Sequence, residues 1–257
     1  MIRKTKIIAT IGPATSSKEM LRKIILRGVN VCRLNFSHLE HDAAKKIISS
    51  IKEINQELHM HTAILADLQG PKIRVGIFEK PIKLKKGEEV VFSTKKKKNT
   101  IHISYINFAK DVRVKDRVLL DDGKIVLEAK STNKKDAVVL KVIFGGLLQS
   151  RKGVNLPNTK ISLPCLTKKD KKDLAFVLSE KIEWIGLSFV RSANDVRILK
   201  RIIDKQKLNH KVIAKIEKPE AIYDIDSIIE AADAIMVARG DLGVEVPSHK
   251  VPVYQKM

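Results

Sequence analysis

The sequence predicts an α/β protein built on a parallel sheet and interrupted by an all-β insert. Two patterns predict it. Short aliphatic runs alternate with amphipathic helical stretches at both ends of the chain, and from about Gly76 to Pro157 the helical stretches stop. Strands separated by helices pair in parallel, because a crossover is needed to return the chain to the same end of the sheet.

The first apolar run is residues 6–12, followed by an amphipathic stretch over 17–27 that opens on Ser17 and closes near Gly28, a start and stop signature for a helix. A second run (29–35), a helix with apolar residues at helical spacing (43–58) and a third run (62–67) complete the first part. In the insert, Asp121-Asp122-Gly123 stands between the runs 117–120 and 125–127. Asp-Gly accepts the positive φ of a tight turn, so a hairpin is predicted there. The lysine run 95–98 falls in the insert, on a solvated loop. The last part alternates helices over 169–179, 194–206 and 219–232 with strands over 184–189, 212–217 and 234–239.

The 257 residues suffice for a substantial core, and the 44% apolar and 31% charged fractions are ordinary for a soluble globular chain. Aromatics are only 4%, so that core is aliphatic. A formal net charge of +21 raises the question of a nucleic-acid or anionic-membrane partner. The lysines are spread over the whole length without interleaved aromatics, and no helix-turn-helix, zinc-finger or RNA-binding signature is present. Solvated surfaces are therefore expected, with no specific nucleic acid and no membrane among the partners. Cys32 and Cys165 fit no metal or redox spacing and are expected as reduced thiols. The apolar run at 7–9 is too short for a signal peptide, so a cytoplasmic protein is expected.

Polar residues gather at the C-terminal ends of the runs. Residues two apart on a strand share a face, which groups Arg33 with Asn35 and Ser37 if the strand stays extended, Lys215 with Glu217, and Arg239 with Asp241. Cys32, Leu34 and Phe36 then face the helices. Two carboxylates on neighbouring strand ends, Glu217 and Asp241, suit a hard divalent ion such as Mg²⁺. Arg33 and Lys215 suit a phosphorylated acid. A single Lys-x-Glu or Arg-x-Asp is more simply a salt bridge at a strand end; three such ends with complementary charges favour a site. Neither glycine-rich phosphate loop is present, so side chains must hold any nucleotide.

The segments 6–14, 33–38, 153–157, 214–217 and 236–245 resemble pyruvate kinases in order and spacing, and the resemblance runs the length of the chain. It implies an incomplete TIM-barrel type (β/α)₈ fold, with six of the eight strands, carrying an inserted small β-barrel lid. The implied division is barrel over 1–75, lid over 76–157 and barrel again over 158–257. It implies transfer of the phosphoryl group of phosphoenolpyruvate to ADP, giving pyruvate and ATP, in a family that is usually homotetrameric. By the same resemblance Arg33 binds the phosphoryl group, Lys215 stabilises its charge, and Glu217 and Asp241 hold Mg²⁺, with the Gly240 backbone and Asp241 against the substrate. Asn35, His38, Arg74 and Lys152 match positions on the nucleotide side.

Two departures from the family pattern stand out. Asn35, Ser37 and Asp67 match a monovalent-cation position, but Leu68 replaces its threonine and Lys72 its nearby glutamate. A lysine ammonium can take the place of the ion, so no K⁺ requirement is expected. The family's last two barrel strands, its Ala-Thr-Gln-Met motif and its C-terminal domain have no counterpart here. An open sheet leaves unpaired edges, so an aggregation-prone chain is expected unless something completes it. The alternative reading is a truncated, non-catalytic remnant that binds Mg²⁺ and phosphoenolpyruvate without turnover.

Overall fold

The computed structural model describes residues 4–157 and 159–257. The chain opens with β1 (Ile8–Thr10), α1 (Lys18–Leu26), β2 (Val31–Asn35), α2 (His41–Leu58) and β3 (Ala63–Asp67). Next come β4 (Ile73–Arg74), β5 (Ile82–Leu84), β6 (Glu89–Ser93), β7 (Ile101–His102) and α3 (Phe108–Asp111). They are followed by β8 (Arg117–Leu120), β9 (Ile125–Thr132), β10 (Ala137–Phe144), β11 (Gly146–Leu148) and β12 (Gly153–Asn155). The last part holds α4 (Lys168–Ser179), β13 (Trp184–Leu187), α5 (Ala193–Lys205), β14 (Lys211–Ile216), α6 (Pro219–Tyr223) and α7 (Ile225–Ala231). It ends with β15 (Ala234–Val237), α8 (Arg239–Glu245) and α9 (Val251–Lys256).

These elements form two compact units. One holds the chain up to Gly70 with Cys165–Ile216 and Tyr223–Met236; the other holds Pro71–Pro164, Glu217–Ile222 and Val237–Met257. The boundary expected at 157/158 touches Asn158, which, like residues 1–3, lies outside the described residues.

The first unit is a mixed α/β layer on a six-stranded sheet ordered β1-β2-β3-β13-β14-β15, with parallel pairing from β1 through β14. Helix α1 begins where the sequence signals it. Ser17 Oγ accepts the Met20 N–H at 3.2 Å to cap α1, and Gly28 leaves that helix with φ of 93°. Thr167 and Asp170 cap each other's backbone at the start of α4. Leu21 and Ile25 of α1 and Ile47, Ile48, Ile51 and Ile54 of α2 are buried, an aliphatic core as the composition requires.

The single helix expected over 219–232 is instead two, α6 and α7, parted at Asp224. The Asp224 carboxylate accepts the Ala193 N–H at 2.8 Å, satisfying an open amide at the start of α5.

The second unit contains a seven-stranded sheet ordered β4-β12-β8-β9-β10-β6-β7, antiparallel except for β6 with β7, and a separate β5–β11 pair. Phe92, Tyr105, Phe108, Leu120, Leu127 and Leu140 are in its core. The predicted hairpin is β8–β9, and Asp121, Asp122 and Gly123 all take positive φ (49°, 56° and 84°). Lysines 95–98 lie on an exposed loop. The short α3 within this stretch was not expected; at one turn it is too brief for periodicity to show. Among the described residues no helix is long and apolar enough to cross a membrane.

Candidate active site

Strand alternation in the first unit decides which side chains meet. Thr10 pairs with Arg33, Asn35 with Asp67, and Asp67 with Gly186 in the parallel registers. Leu187 pairs with Ala214, so the next step along each strand sets Ser188 beside Lys215. Thr10, Arg33, Asn35, Asp67, Ser188 and Lys215 therefore fall on one face of the sheet. Cys32, Leu34 and Phe36 are fully buried on the other side.

Asp67 is the centre of this face. Its carboxylate accepts from Arg33 Nε at 2.7 Å and from the Arg33 terminal nitrogen, and it lies 3.1 Å from Lys215 Nζ. Arg33 Nη1 also donates to Thr10 Oγ1 at 2.8 Å. Lys215 Nζ donates to Ser188 Oγ at 2.9 Å, and that hydroxyl donates to the Leu68 carbonyl at 2.7 Å. Lys215 is nearly buried, whereas the Arg33 side chain keeps 24% exposure. Two cations meet at one carboxylate here. Positive charge on strand ends suits an anionic substrate.

Asn35 and Ser37 do not share a strand face. The strand ends at Asn35, whose Oδ1 accepts the Ser37 N–H at 3.0 Å and turns the chain. His38 follows on the exposed turn. Burial pushes the Cys32 thiol up to about 11, so it takes no part in neutral-pH chemistry.

The second unit carries the remaining residues. Lys152 lies 2.8 Å from Asp121, and its hydrogen bond holds that carboxyl below the usual range. Arg74 Nη1 donates to the Arg151 carbonyl at 3.0 Å. Lys72 is half-buried just before β4.

Glu217 is the first residue past the end of β14 and is 1% exposed. Asp241 and Arg239 are not on a strand: β15 stops at Val237 and both lie in the first turn of α8. Positions two apart on a helix point in different directions, so the expected pairing of Arg239 with Asp241 fails. Gly240 is exposed at this helix start.

Sequence reasoning missed a buried group beside these carboxylates. Lys218 Nζ lies 2.7 Å from Glu245 Oε2, and Asn155 Nδ2 donates to Glu245 Oε1 at 2.8 Å. Lys218 follows Glu217 directly and Glu245 follows Asp241 by one helical turn; nothing in the sequence joins 218 to 245 or 155.

A hard divalent ion such as Mg²⁺ fits the chemistry of this unit. Such an ion takes one or two carboxylates and keeps water or phosphate oxygens for its other positions. Glu217 and Asp241 supply two carboxylates. Three residues past Glu217, Glu220 Oε2 is a buried carboxylate oxygen without a hydrogen-bond partner. Among the described residues no group of three or more His, Cys, Asp or Glu is arranged to hold a metal.

The family model for the pyruvate kinase barrel domain matches residues 2–257. This chain belongs to the pyruvate kinase family. It is 43% identical over 260 residues to pyruvate kinases of Staphylococcus aureus strains MRSA252, USA300 and NCTC 8325. The alignments cover 99% of this chain and 44% of each relative, so the chain spans less than half the length of the pyruvate kinases it matches.

Proposed function

We propose that this chain supplies the phosphoryl-handling part of a pyruvate kinase, which moves the phosphoryl group of phosphoenolpyruvate to ADP and yields pyruvate and ATP. The observation that carries this reading is the Arg33–Asp67–Lys215 cluster on one sheet face. Transfer breaks the bond between phosphorus and the enol oxygen and forms one to a terminal oxygen of ADP, and the enolate left behind takes a proton from water at its methylene carbon to become pyruvate. Its loose transition state needs positioning and positive charge more than covalent help. Arg33 holds the phosphoryl group through its fork of donors, and Lys215 meets the charge that develops on it. Asn35, His38, Arg74 and Lys152 attend the nucleotide, and the Gly240 backbone attends the substrate with Asp241. Glu217 and Asp241 would hold Mg²⁺, which would supply charge neutralisation for the transfer.

The proposal extends to the architecture. The parallel sheet represents six strands of an eight-stranded TIM-type barrel, divided 1–75 and 158–257, with residues 76–157 as an inserted lid. Proposed too is independence from K⁺. Leu68 offers no side-chain donor at the expected cation position, and Asp67 is already engaged by Arg33 and Lys215. Ser37, off the strand, contributes no further support for an ion there.

The test is pyruvate formation from phosphoenolpyruvate and ADP with Mg²⁺, with and without K⁺. Turnover that disappears in Lys215→Met and ignores K⁺ is the expected result. Folded protein that quenches its one tryptophan, Trp184, on adding phosphoenolpyruvate yet forms no pyruvate would favour the binding-only alternative. Activation by K⁺ of an otherwise idle protein would overturn the K⁺ claim.

A further inference from the structure

The Lys218–Glu245 ion pair has no role in the function proposed above, yet it is among the most enclosed charge pairs of the described residues. The side chains are 4% and 2% exposed and 2.7 Å apart. Both oxygens of Glu245 are used, one by Lys218 and the other by Asn155. Burying two charges gains little stability over an apolar pair of the same size. Where such a pair is kept, what it holds in place is the useful question.

Its neighbours answer that question. Lys218 is the residue after Glu217, and Glu245 lies four residues after Asp241, on the same side of α8. Asn155 closes β12, a strand paired on both sides, with β4 and β8. The ion pair thus ties the segment that carries Glu217 to the helix that carries Asp241, and Asn155 anchors the tie to a sheet. We infer that Glu245, clamped by Lys218 and Asn155, is a positioning residue that fixes the separation of Glu217 and Asp241 for a divalent cation. This inference rests on the proposed assignment of those two carboxylates to the metal. The physical reason is that two ligands on different elements bind a small, geometrically demanding ion tightly only if their spacing is set before it arrives.

The experiment measures binding of Mn²⁺, as a stand-in for Mg²⁺, by the loss of the free-ion paramagnetic resonance signal, with far-ultraviolet circular dichroism on each variant. Glu245→Gln alone would strand the Lys218 charge, so the informative change is the paired Lys218→Met/Glu245→Gln, which removes both. It is expected to weaken Mn²⁺ binding by about tenfold at unchanged circular dichroism. Asn155→Ala strands no charge and guards against a paired variant that fails to fold; a loss of about threefold is expected, since one of the two clamps remains. Lys218→Arg, which keeps the ion pair, should bind Mn²⁺ as the parent does. Asp241→Asn separates the two levels of the claim. If it weakens Mn²⁺ binding while every folded variant of the clamp binds normally, the positioning role is overturned and the metal assignment stands. If Asp241→Asn leaves Mn²⁺ binding intact, the metal assignment fails and takes the positioning role with it.

Discussion

Lys215 Nζ lies 3.1 Å from Asp67 Oδ1, and the two side chains are 9% and 3% exposed. Residues 148 apart in sequence are brought together by the registers of β3, β13 and β14. Removing the carboxylate takes from both cations the anion they share. Asp67→Ala should therefore lower stability by about 3–5 kcal/mol, read from the urea midpoint. Ser188→Ala, which removes one neutral partner of the same ammonium, should cost only about 1 kcal/mol. Equal losses in the two variants would mean that the ion pair adds nothing beyond a hydrogen bond.

Arg33 uses its guanidinium in two directions, Nε toward Asp67 and Nη1 toward Thr10. A lysine offers one ammonium and no planar fork. Arg33→Lys is expected to weaken phosphoenolpyruvate binding about tenfold despite the retained charge, the loss of one charge-assisted hydrogen bond. Titration followed by Trp184 fluorescence tests it, and unchanged affinity would show that charge alone suffices.

Gly123 sits in the β8–β9 turn with φ of 84°. A Cβ there would meet nothing nearer than the Val244 side chain at 3.8 Å, an ordinary contact. Any cost of Gly123→Ala is therefore conformational, about 1 kcal/mol. A thermal melt should show a modest loss; a loss several times larger would point to a clash.

Burial pushes the Cys32 thiol up to about 11, above the value near 8.5 of an unfolded cysteine. The folded state thus holds its proton more tightly. This contribution to stability is complete below about pH 8.5 and is lost as pH rises toward 11. Denaturation midpoints should fall over that window, and less steeply in Cys32→Ala. At pH 7.5 the native protein should resist iodoacetamide at Cys32, with reaction restored in denaturant.

Much of the fold was legible. The helix start at Ser17, the Asp-Gly hairpin and the solvated lysine loop each depend on neighbours a few residues away, and such signals survive without tertiary information. Element ends were less legible. The sequence pattern ran a strand through Ser37 and through Asp241, whereas the chain turns at Asn35 and enters α8 after Val237. Apolar alternation cannot show where pairing partners run out, and Asp224 broke an otherwise helical pattern because its carboxylate had a use at the start of α5.

The sequence by itself determined the family, the order of the elements and the residue types of the candidate site: Arg33, Lys215, Glu217 and Asp241 are readable as chemistry because their motifs are local. Only the tertiary structure decided their partners. That Asp67 joins Arg33 to Lys215, and that Glu245 takes Lys218 and Asn155, follows from strand register and from helix placement. Those contacts link positions tens to more than a hundred residues apart, and a charge in a sequence carries no sign of which distant charge will neutralise it once both are buried.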